Sequence, residues 1–526
     1  MRSATALGVV VCLIAAAIAV LAATPTKAAA AAGAQPATRP AAKGATPKAG
    51  VPARPAKKAT AARARNGSTA SVHSTPPALG RPPSLKLPAI KTQKLANGLE
   101  LDVVEMHEVP VVDVTLLLRA GAVRDPEELP GLATFVANML DEGAGSRDAL
   151  AIADEVAFLG ASLTTAAGSE NATVNLHCIK SKLGAALDLM SDVALRPAFA
   201  DSEITRQRDL RKTALLQLRD QPTQIAPIAF NAIVFGNAHP YGRPAGGNEA
   251  STERLTRERV KSFYETYYRP NNARILVVGD VSPAEAKELF EARFGAWQPG
   301  TVPVLPTPAP PPAPPRTIYL VDKPGAPQSV IRIGHVGVPR STPDFFALRV
   351  LNTMLGGSFT SRLNQNLRET HGYTYGARSQ FDMRRLAGPF LATASVVTAK
   401  TDSSLIEFMK ELRRIRTEPP PEAELKKAKA YIALGLPGEF ETTADAAVEY
   451  LDLLANDLPL DTYSSYMQHI QAVTAADVQG VAQKYVDPEH FAVVVVGDRK
   501  AIEGGLRALN EGPIAVRDMW GQEIHP

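Results

Sequence analysis

The sequence contains an internal repeat with a constant spacing. Three short segments recur 218 residues further along the chain (473 − 255), in the same order. The pairs are residues 255–260 and 473–478, 267–270 and 485–488, and 275–280 and 493–498. An offset that holds over a helix, a turn and a strand predicts two copies of one folding unit rather than a chance match.

Each copy mixes strand patterns with helix patterns. Asn97-Gly98 between two extended runs is a hairpin signal. Further strands are predicted at 111–119, 161–166, 171–179 and 274–278, and helices at 146–158, 182–195, 201–219, 223–235 and 255–267. Strands ahead of and among helices fit a sheet that helices cover. We therefore expect an α+β fold of two tandem homologous domains, each a mainly antiparallel sheet covered by helices.

A proline-rich stretch separates the two copies. Residues 300–315 contain eight prolines and no charged side chain, which indicates an extended polyproline connector. The predicted organisation is a first domain at 91–299, a linker at 300–316 and a second domain at 317–526. We expect the stiffness of the linker to hold the two halves apart at a defined span.

The N-terminal segment has the features of an export signal. Arg2 precedes a small, apolar run that ends near Ala23, so residues 1–23 read as a secretory signal peptide. The alternative is an uncleaved membrane anchor, for which this alanine-rich run is barely long enough. The expected location is outside the cytoplasm, in the periplasm or the cell envelope.

Residues 24–90 have the composition of a disordered tether. The first 99 residues carry 14 Lys and Arg and no Asp or Glu, which leaves a net charge of about −10 on the rest of the chain. Such a segment cannot bury enough apolar surface to fold. It is either a plain solvated spacer or a weak binder of an anionic surface, and export argues against nucleic acid as a partner.

Cysteine chemistry is nearly absent. Cys12 lies in the predicted signal, so Cys178 is the one cysteine of the mature chain and no internal disulfide is expected. His177 and Cys178 are adjacent on a predicted strand, and adjacent strand residues point to opposite faces. This favours a buried structural thiol over a thiol nucleophile.

A short helix in the first copy carries a distinctive frame. Residues 129–143 read Leu-Pro-Gly-Leu-Ala-Thr-Phe-Val-Ala-Asn-Met-Leu-Asp-Glu-Gly, and the helical spacing places Thr134 and Asn138 on one face with Ala137 beside them. This resembles the active-site helix of the pitrilysin/insulinase family of zinc peptidases, whose frame is G-L-A-H-F-x-E-H-M. The loop His239-Pro-Tyr-Gly242 also matches that family.

The resemblance places substitutions at every zinc-site position. Thr134 and Asn138 stand where the family has its two histidines, Ala137 where it has the water-activating glutamate, and Ala214 where it has the third ligand. A hydroxyl, an amide and two methyl groups do not provide the imidazole, thiolate or carboxylate ligands of zinc. We therefore expect no cofactor in this chain and a zinc ion only in a partner.

A second frame lies in the other copy. Residues 355–376 predict a Gly-Gly turn, a helix at 361–370, a stop at Gly372 and a strand from Tyr373. By themselves, an arginine at a helix end and a strand tyrosine suggest dipole compensation and core packing. In the zinc peptidases, however, an Arg/Tyr pair in this frame binds the substrate backbone near the scissile bond. The resemblance therefore implies that Arg368 and Tyr375 bind substrate, whereas Arg362 is expected to be structural.

The resemblance also implies a clam-like cavity and a place for the peptide. Residues 160–166 fall where the family has an edge strand that receives peptide by strand addition. An edge strand covered by another subunit is the equal alternative.

Together these features predict an exported non-zinc subunit of a zinc peptidase. It would form a heterodimer with a zinc-motif homologue and bind substrate peptide for hydrolysis at the partner's zinc, without catalysing the reaction alone. The alternative is a non-enzymatic scaffold or peptide-binding protein with the same fold. A third, more distant hypothesis is a surface-binding protein that acts through residues 24–90.

Overall fold

The computed structural model describes residues 87–524 except Pro306, Thr307 and Ala313. The predicted signal (1–23) and residues 24–86 of the predicted tether lie outside the described residues. The described residues form one compact unit. Within the described range, none of the helices combines the length and the apolar composition needed to span a bilayer.

The first half contains a six-stranded sheet in the order β1-β2-β6-β3-β5-β4. Only β2 and β6 pair in parallel, and the other neighbours are antiparallel. Gly98, with φ +86, forms the turn between β1 and β2. The strands are β1 (Lys91–Lys94), β2 (Glu100–Glu105), β3 (Val111–Leu118), β4 (Ser162–Ala167), β5 (Ala172–Ile179) and β6 (Ala273–Gly279). The helices are α1 (Leu132–Met139), α2 (Ala149–Leu159), α3 (Leu183–Leu195), α4 (Asp201–Leu218), α5 (Pro222–Phe235), α6 (Glu249–Glu253), α7 (Arg257–Tyr267) and α8 (Pro283–Phe294).

The second half repeats this arrangement. Its six-stranded sheet has the order β12-β7-β11-β8-β10-β9, so five strands occupy the positions of their counterparts in the first sheet. The strands are β7 (Thr317–Asp322), β8 (Gln328–Val336), β9 (Thr374–Phe381), β10 (Pro389–Val397), β11 (Ala492–Gly497) and β12 (Ile514–Arg517). The helices are α9 (Phe345–Leu355), α10 (Arg362–Asn364), α11 (Thr401–Thr417), α12 (Glu422–Gly435), α13 (Thr443–Ala455), α14 (Thr462–Ala472), α15 (Ala475–Tyr485) and α16 (Arg499–Ala508). The predicted α+β fold of two homologous copies is confirmed.

Apolar and polar side chains alternate along β5, which is the pattern of a strand with one buried face. Val174, Leu176 and Cys178 are buried under the helices of the first half, whereas Asn175 and His177 lie on the other face. The predicted buried thiol is confirmed, and burial raises the pKa of Cys178 to about 11. This outer part of the sheet therefore has one apolar face and one polar face.

The two halves exchange one helix each. Helix α5 packs on β8 and β11 of the second sheet, and its repeat counterpart α13 packs on β3 and β6 of the first sheet. Phe230 of α5 is fully buried in a cluster with Val494 and Val496 of the second sheet. Since β3 and β6 are the counterparts of β8 and β11, the exchange is reciprocal. The expectation that the linker holds the halves apart is wrong, because the halves share their cores.

Polar contacts add to this junction where the outer hairpins of the two halves meet. The Glu170 carboxylate accepts hydrogen bonds from the Tyr241 hydroxyl and from the backbone N–H of Arg385, at 3.1 Å for the latter. The Asp457 carboxylate forms ion pairs with both Arg119 and Arg385. The turn after β4 is thereby fixed against the turn after β9.

A cluster of ionisable side chains is enclosed between α9, α13 and α14. Arg349 lies 3.6 Å from Glu439, and Glu449 accepts a hydrogen bond from the Tyr463 hydroxyl. Burial, together with repulsion from Glu439, raises the pKa of Glu449 to about 7. The carboxylates of Glu439 and Glu449 thus share the charge of Arg349 in a region from which water is largely excluded.

The exchanged helix gives a first testable prediction. Phe230→Ala should lower the free energy of unfolding by about 3–5 kcal/mol, because it leaves a cavity between the two halves. Thermal unfolding followed by calorimetry should remain a single transition. Leu216→Ala on the exposed side of α4 is the control and should change stability by less than about 0.5 kcal/mol. Two separate transitions in the wild-type chain would contradict a shared core.

Glu449 gives a second prediction, on pH. Its pKa is about 7 in the fold against an ordinary value near 4.5, so the folded chain binds this proton more tightly than the unfolded chain does. The free energy of unfolding of the wild type should therefore fall, relative to Glu449→Gln, as pH rises from 4.5 to 7. Urea titrations across this range measure the difference. The exposed variant Glu441→Gln should show no such trend relative to the wild type.

Candidate functional site

Helix α1, which carries the degenerate frame, is held by structural interactions at its start. The Asp125 carboxylate accepts hydrogen bonds from the backbone N–H groups of Gly131 and Ala133, both at 2.7 Å. Burial raises the pKa of Asp125 to about 7 in spite of these donors. Gly131 has φ +89, and a β-carbon there would lie 2.5 Å from the backbone nitrogen of Gly247. Only glycine fits this close approach.

Two of the four zinc-site positions are buried in the fold. Thr134 is 8% exposed and its hydroxyl donates to the carbonyl oxygen of Ala245 at 2.5 Å. Ala137 is fully buried, Asn138 is half-buried, and Ala214 is exposed on α4. These residues do not fit a zinc ion, because they supply no imidazole, thiolate or carboxylate. Across the part of the chain that the structure describes, no group of three or more His, Cys, Asp or Glu could hold a metal ion.

A buried arginine connects α4 to α1 instead. The Arg211 guanidinium donates to the carbonyl oxygen of Gly131 at 2.8 Å and lies 5.0 Å from the centre of the Phe135 ring. Burial lowers the pKa of Arg211 to about 10, so it remains a cation at neutral pH. At the far end of α1, the Glu142 carboxylate binds Arg206 and Gln207 of α4. The contact between the two helices is therefore a protein hydrogen-bond network.

Arg368 lies in an unusual turn of the second half. After α10 the helix widens into a π-helical turn, Gln365–Thr370, that contains this residue. The Arg368 guanidinium stacks on the Phe359 ring at 4.4 Å, and its ion pair with the neighbouring Glu369 is long, at 3.5 Å. Phe359 itself is 61% exposed. The guanidinium is thus supported on one side by an aromatic ring and stays accessible to solvent.

Tyr375 points away from the core because β9 contains a bulge. Ala377 pairs with Ala394 and Thr374 pairs with Val396, so Tyr375 and Gly376 together lie opposite one residue of β10. A bulge re-aims a side chain that regular alternation would place on the buried face with Ala377. Tyr375 is 91% exposed, and its hydroxyl makes no hydrogen bond to any described residue.

Hydrogen bonds fix these two elements relative to each other. The backbone N–H of Tyr373 donates to the carbonyl oxygen of Leu367 at 2.9 Å, which joins the start of β9 to the π-helical turn. The Asn364 amide accepts from the N–H of Ala377 at 3.2 Å and donates to the carbonyl oxygen of Phe359 at 2.6 Å. The structure therefore brings the element of Arg368 and the element of Tyr375 together.

Other predicted positions have clear structural assignments. Arg362 forms two hydrogen bonds of 2.7 Å with Glu424, which confirms its structural role. Strand β4 is the last strand of its sheet, so the predicted edge at 160–166 is an edge in the structure. Sequence reasoning missed Phe359, Asn364 and the bulge. Gly376, a glycine inside a strand pattern, was the available signal for the bulge.

One cavity lies away from the Arg368–Tyr375 region. It has a volume of about 360 Å³ and opens at the start of α1, between Glu128, Arg243 and Trp520. None of the predicted site residues lines it.

Comparison with known proteins gives two family matches and several relatives. The profile described as insulinase (peptidase family M16) matches residues 103–244, and the peptidase M16 inactive domain matches residues 254–432. An uncharacterized zinc protease of Mycobacterium leprae is 26% identical over 429 residues, which covers 79% of this chain and 94% of that protein. The probable mitochondrial-processing peptidase subunit beta of Arabidopsis thaliana is 22% identical over 430 residues, which covers 78% of this chain and 79% of that protein.

Solved structures have the same fold. The crystal structure of a peptidase M16 inactive domain from Pseudomonas fluorescens superposes with a TM-score of 0.72 at 26% identity, covering 78% of this chain and 98% of that chain. A protease from Helicobacter pylori superposes with a TM-score of 0.73 at 21% identity, covering 78% of this chain and 100% of that chain.

The solvent accessibility of the Arg368 and Tyr375 side chains gives a third prediction. Tyr375→Ala and Arg368→Ala should each change the free energy of unfolding by less than about 0.5 kcal/mol, because neither side chain supports the core. Tyr450→Ala, which removes a tyrosine buried on α13, is the control and should cost about 3–5 kcal/mol. Urea unfolding measures all three. A large loss on changing Tyr375 would assign it a structural role.

Proposed function

Because the chain belongs to the insulinase family of peptidases, M16, we propose that it is the non-zinc subunit of a two-chain zinc peptidase. In this role it binds substrate peptide through Arg368 and Tyr375 and presents it to the zinc of a homologous partner. The observation that carries the proposal is a contrast between the two copies. Thr134 and Ala137, at two of the zinc positions, are buried in the fold, whereas the side chains of Arg368 and Tyr375 reach solvent from elements that hydrogen bonds fix.

The chemistry of the pair supports this role. A guanidinium and a phenol are fixed hydrogen-bond donors that suit a peptide carbonyl. Such donors become more valuable when the carbonyl oxygen gains negative charge during hydrolysis. The aromatic support under Arg368 and the bulge under Tyr375 reduce the reorganisation that binding would require. Edge strand β4 would pair with the backbone of the same peptide.

The names of the relatives support the proposal that this chain acts as part of a peptidase assembly. One relative is named as a zinc protease, another as a subunit of a mitochondrial-processing peptidase, and the family domain that matches residues 254–432 is described as inactive. A heterodimer with a zinc-motif homologue accounts for a chain with this fold that lacks the metal ligands. The signal predicted at 1–23 supports a location outside the cytoplasm, in the periplasm or cell envelope, for the proposed assembly.

The proposal is tested by reconstitution, which is the fourth prediction. The purified chain alone should bind no zinc and hydrolyse no peptide. An equimolar mixture with its zinc-motif homologue should bind zinc and hydrolyse peptide. In the mixture, Arg368→Ala should lower kcat/KM by about 10²- to 10³-fold, the cost of one missing transition-state donor. Tyr375→Phe should also lower kcat/KM, because it removes the hydroxyl that donates the hydrogen bond and keeps the ring.

Arg259→Ala is the matched control, since Arg259 is an exposed arginine on α7 of the first half and should leave kcat/KM unchanged. Stoichiometric zinc together with activity in this chain alone would refute the proposal. Peptide binding without activity in any mixture would instead support the peptide-binding protein that the sequence left as the alternative.

A further inference from the structure

A row of three side chains runs across the second sheet from β8, which α5 covers, to the exposed strand β9. Thr393 of β10 pairs directly with Arg332 of β8 on one side and with Arg378 of β9 on the other. Neighbouring strands lie about 4.8 Å apart, so the two arginines start about 10 Å apart on the same face, with a threonine between them. Long arginine side chains can close on one small group over that threonine.

The corresponding row of the first sheet has no charge. It consists of Thr115, Asn175 and Thr164, which occupy the same strand positions and the same register. There the Thr115 hydroxyl donates to the Asn175 amide oxygen at 3.0 Å, and the Asn175 amide donates to the Thr173 hydroxyl at 3.1 Å. The fold therefore does not require cations at this place, and the two arginines are a feature of the second copy alone.

Neither arginine is neutralised by the protein. The side chain of Arg378 is exposed and forms no ion pair or hydrogen bond with any described residue, and the side chain of Arg332 likewise forms none. Arg332 lies against the Phe230 ring at 5.4 Å, and its Nε atom is out of contact with solvent and has no acceptor. The nearest acid, Asp382, already binds Arg384 through hydrogen bonds of 2.5 and 3.1 Å. A buried donor without an acceptor is costly, and an added anion would supply one.

We infer that Arg332 and Arg378 form a carboxylate-binding site that selects peptides with an acidic group. This inference rests on the proposed function, because it concerns the peptide held at Tyr375. The bulge puts Tyr375 on the face of β9 that also carries Arg378. Because the two residues of the bulge count as one position in the pairing with β10, Tyr375 lies two positions, or about 7 Å, from Arg378 along the strand. A peptide bound at Tyr375 would therefore bring a side chain or its C-terminal carboxylate over the row. Planar carboxylates match the paired donors of guanidinium groups.

The test is fluorescence anisotropy of labelled peptides of one length with the full chain. The first peptide has an internal Glu and an amidated C-terminus, the second has Gln and the amide, and the third has Gln and a free C-terminal carboxylate. The Glu peptide or the free-carboxylate peptide should bind about ten- to a hundredfold more tightly than the neutral one, and this preference should weaken with added salt. The comparison of the first and third peptides identifies which carboxylate is recognised.

Arg378→Gln should abolish the preference and leave binding of the neutral peptide unchanged, and Arg332→Gln should reduce the preference. Arg259→Gln is the matched control and should change nothing. Arg368→Ala should weaken all three peptides alike, which reports on the proposed function separately. Equal binding of the three peptides, or a preference that survives Arg378→Gln, would overturn the carboxylate site while leaving the proposed function in place. Absence of binding by every peptide would overturn both.

Discussion

The reciprocal exchange of α5 and α13 is the constraint on which the rest of the structure depends. The central strands β6 and β11 are buried on both faces, and their runs Ile275–Val278 and Val493–Val496 are continuously apolar. Such strands need cover on both sides. Each half covers one face of its sheet with its own helices and the other face with the helix of its partner half. Because one helix covers only the middle of a sheet, the outer strands β4, β5, β9 and β10 keep an open face, and polar and charged side chains occupy it.

Much of this fold is predictable from the sequence because it follows from local patterns. The repeat predicts two copies, alternation predicts β5, and Asn97-Gly98 predicts the first hairpin. The exchange is not predictable in this way. The sequence of α5 is apolar on several sides, which indicates burial, but periodicity does not say which sheet buries it. A long-range choice of partner depends on shape complementarity between elements distant in the chain, and the proline-rich linker suggests separation rather than a shared core.

The candidate site also has a part that the sequence predicts and a part that requires coordinates. The frames place Thr134, Ala137, Asn138, Ala214, Arg368 and Tyr375 by alignment alone, and the chemistry of the first four excludes a zinc ion without any structure. The orientation of Tyr375 requires coordinates, because strict alternation would bury it beside Ala377. The bulge depends on the Thr374 hydroxyl, which donates to the carbonyl oxygen of Ser395 at 2.6 Å and accepts from the N–H of Gly376 at 3.1 Å. Such a contact is invisible in a strand pattern.

Duplication provides an internal control for separating structural from functional residues. Positions that serve the fold are satisfied within it, as when Arg362 forms two hydrogen bonds with Glu424 and Thr115 bonds to Asn175. Arg378 and Tyr375 contribute little to stability, since their exposed side chains gain neither burial nor a hydrogen bond, and Arg332 packs on Phe230 but leaves its Nε donor without an acceptor. One copy has a neutral row and the other has two cations in the same register, so the backbone arrangement that the two copies share does not dictate the charges. The difference supports the proposed binding of a carboxylate by the second copy.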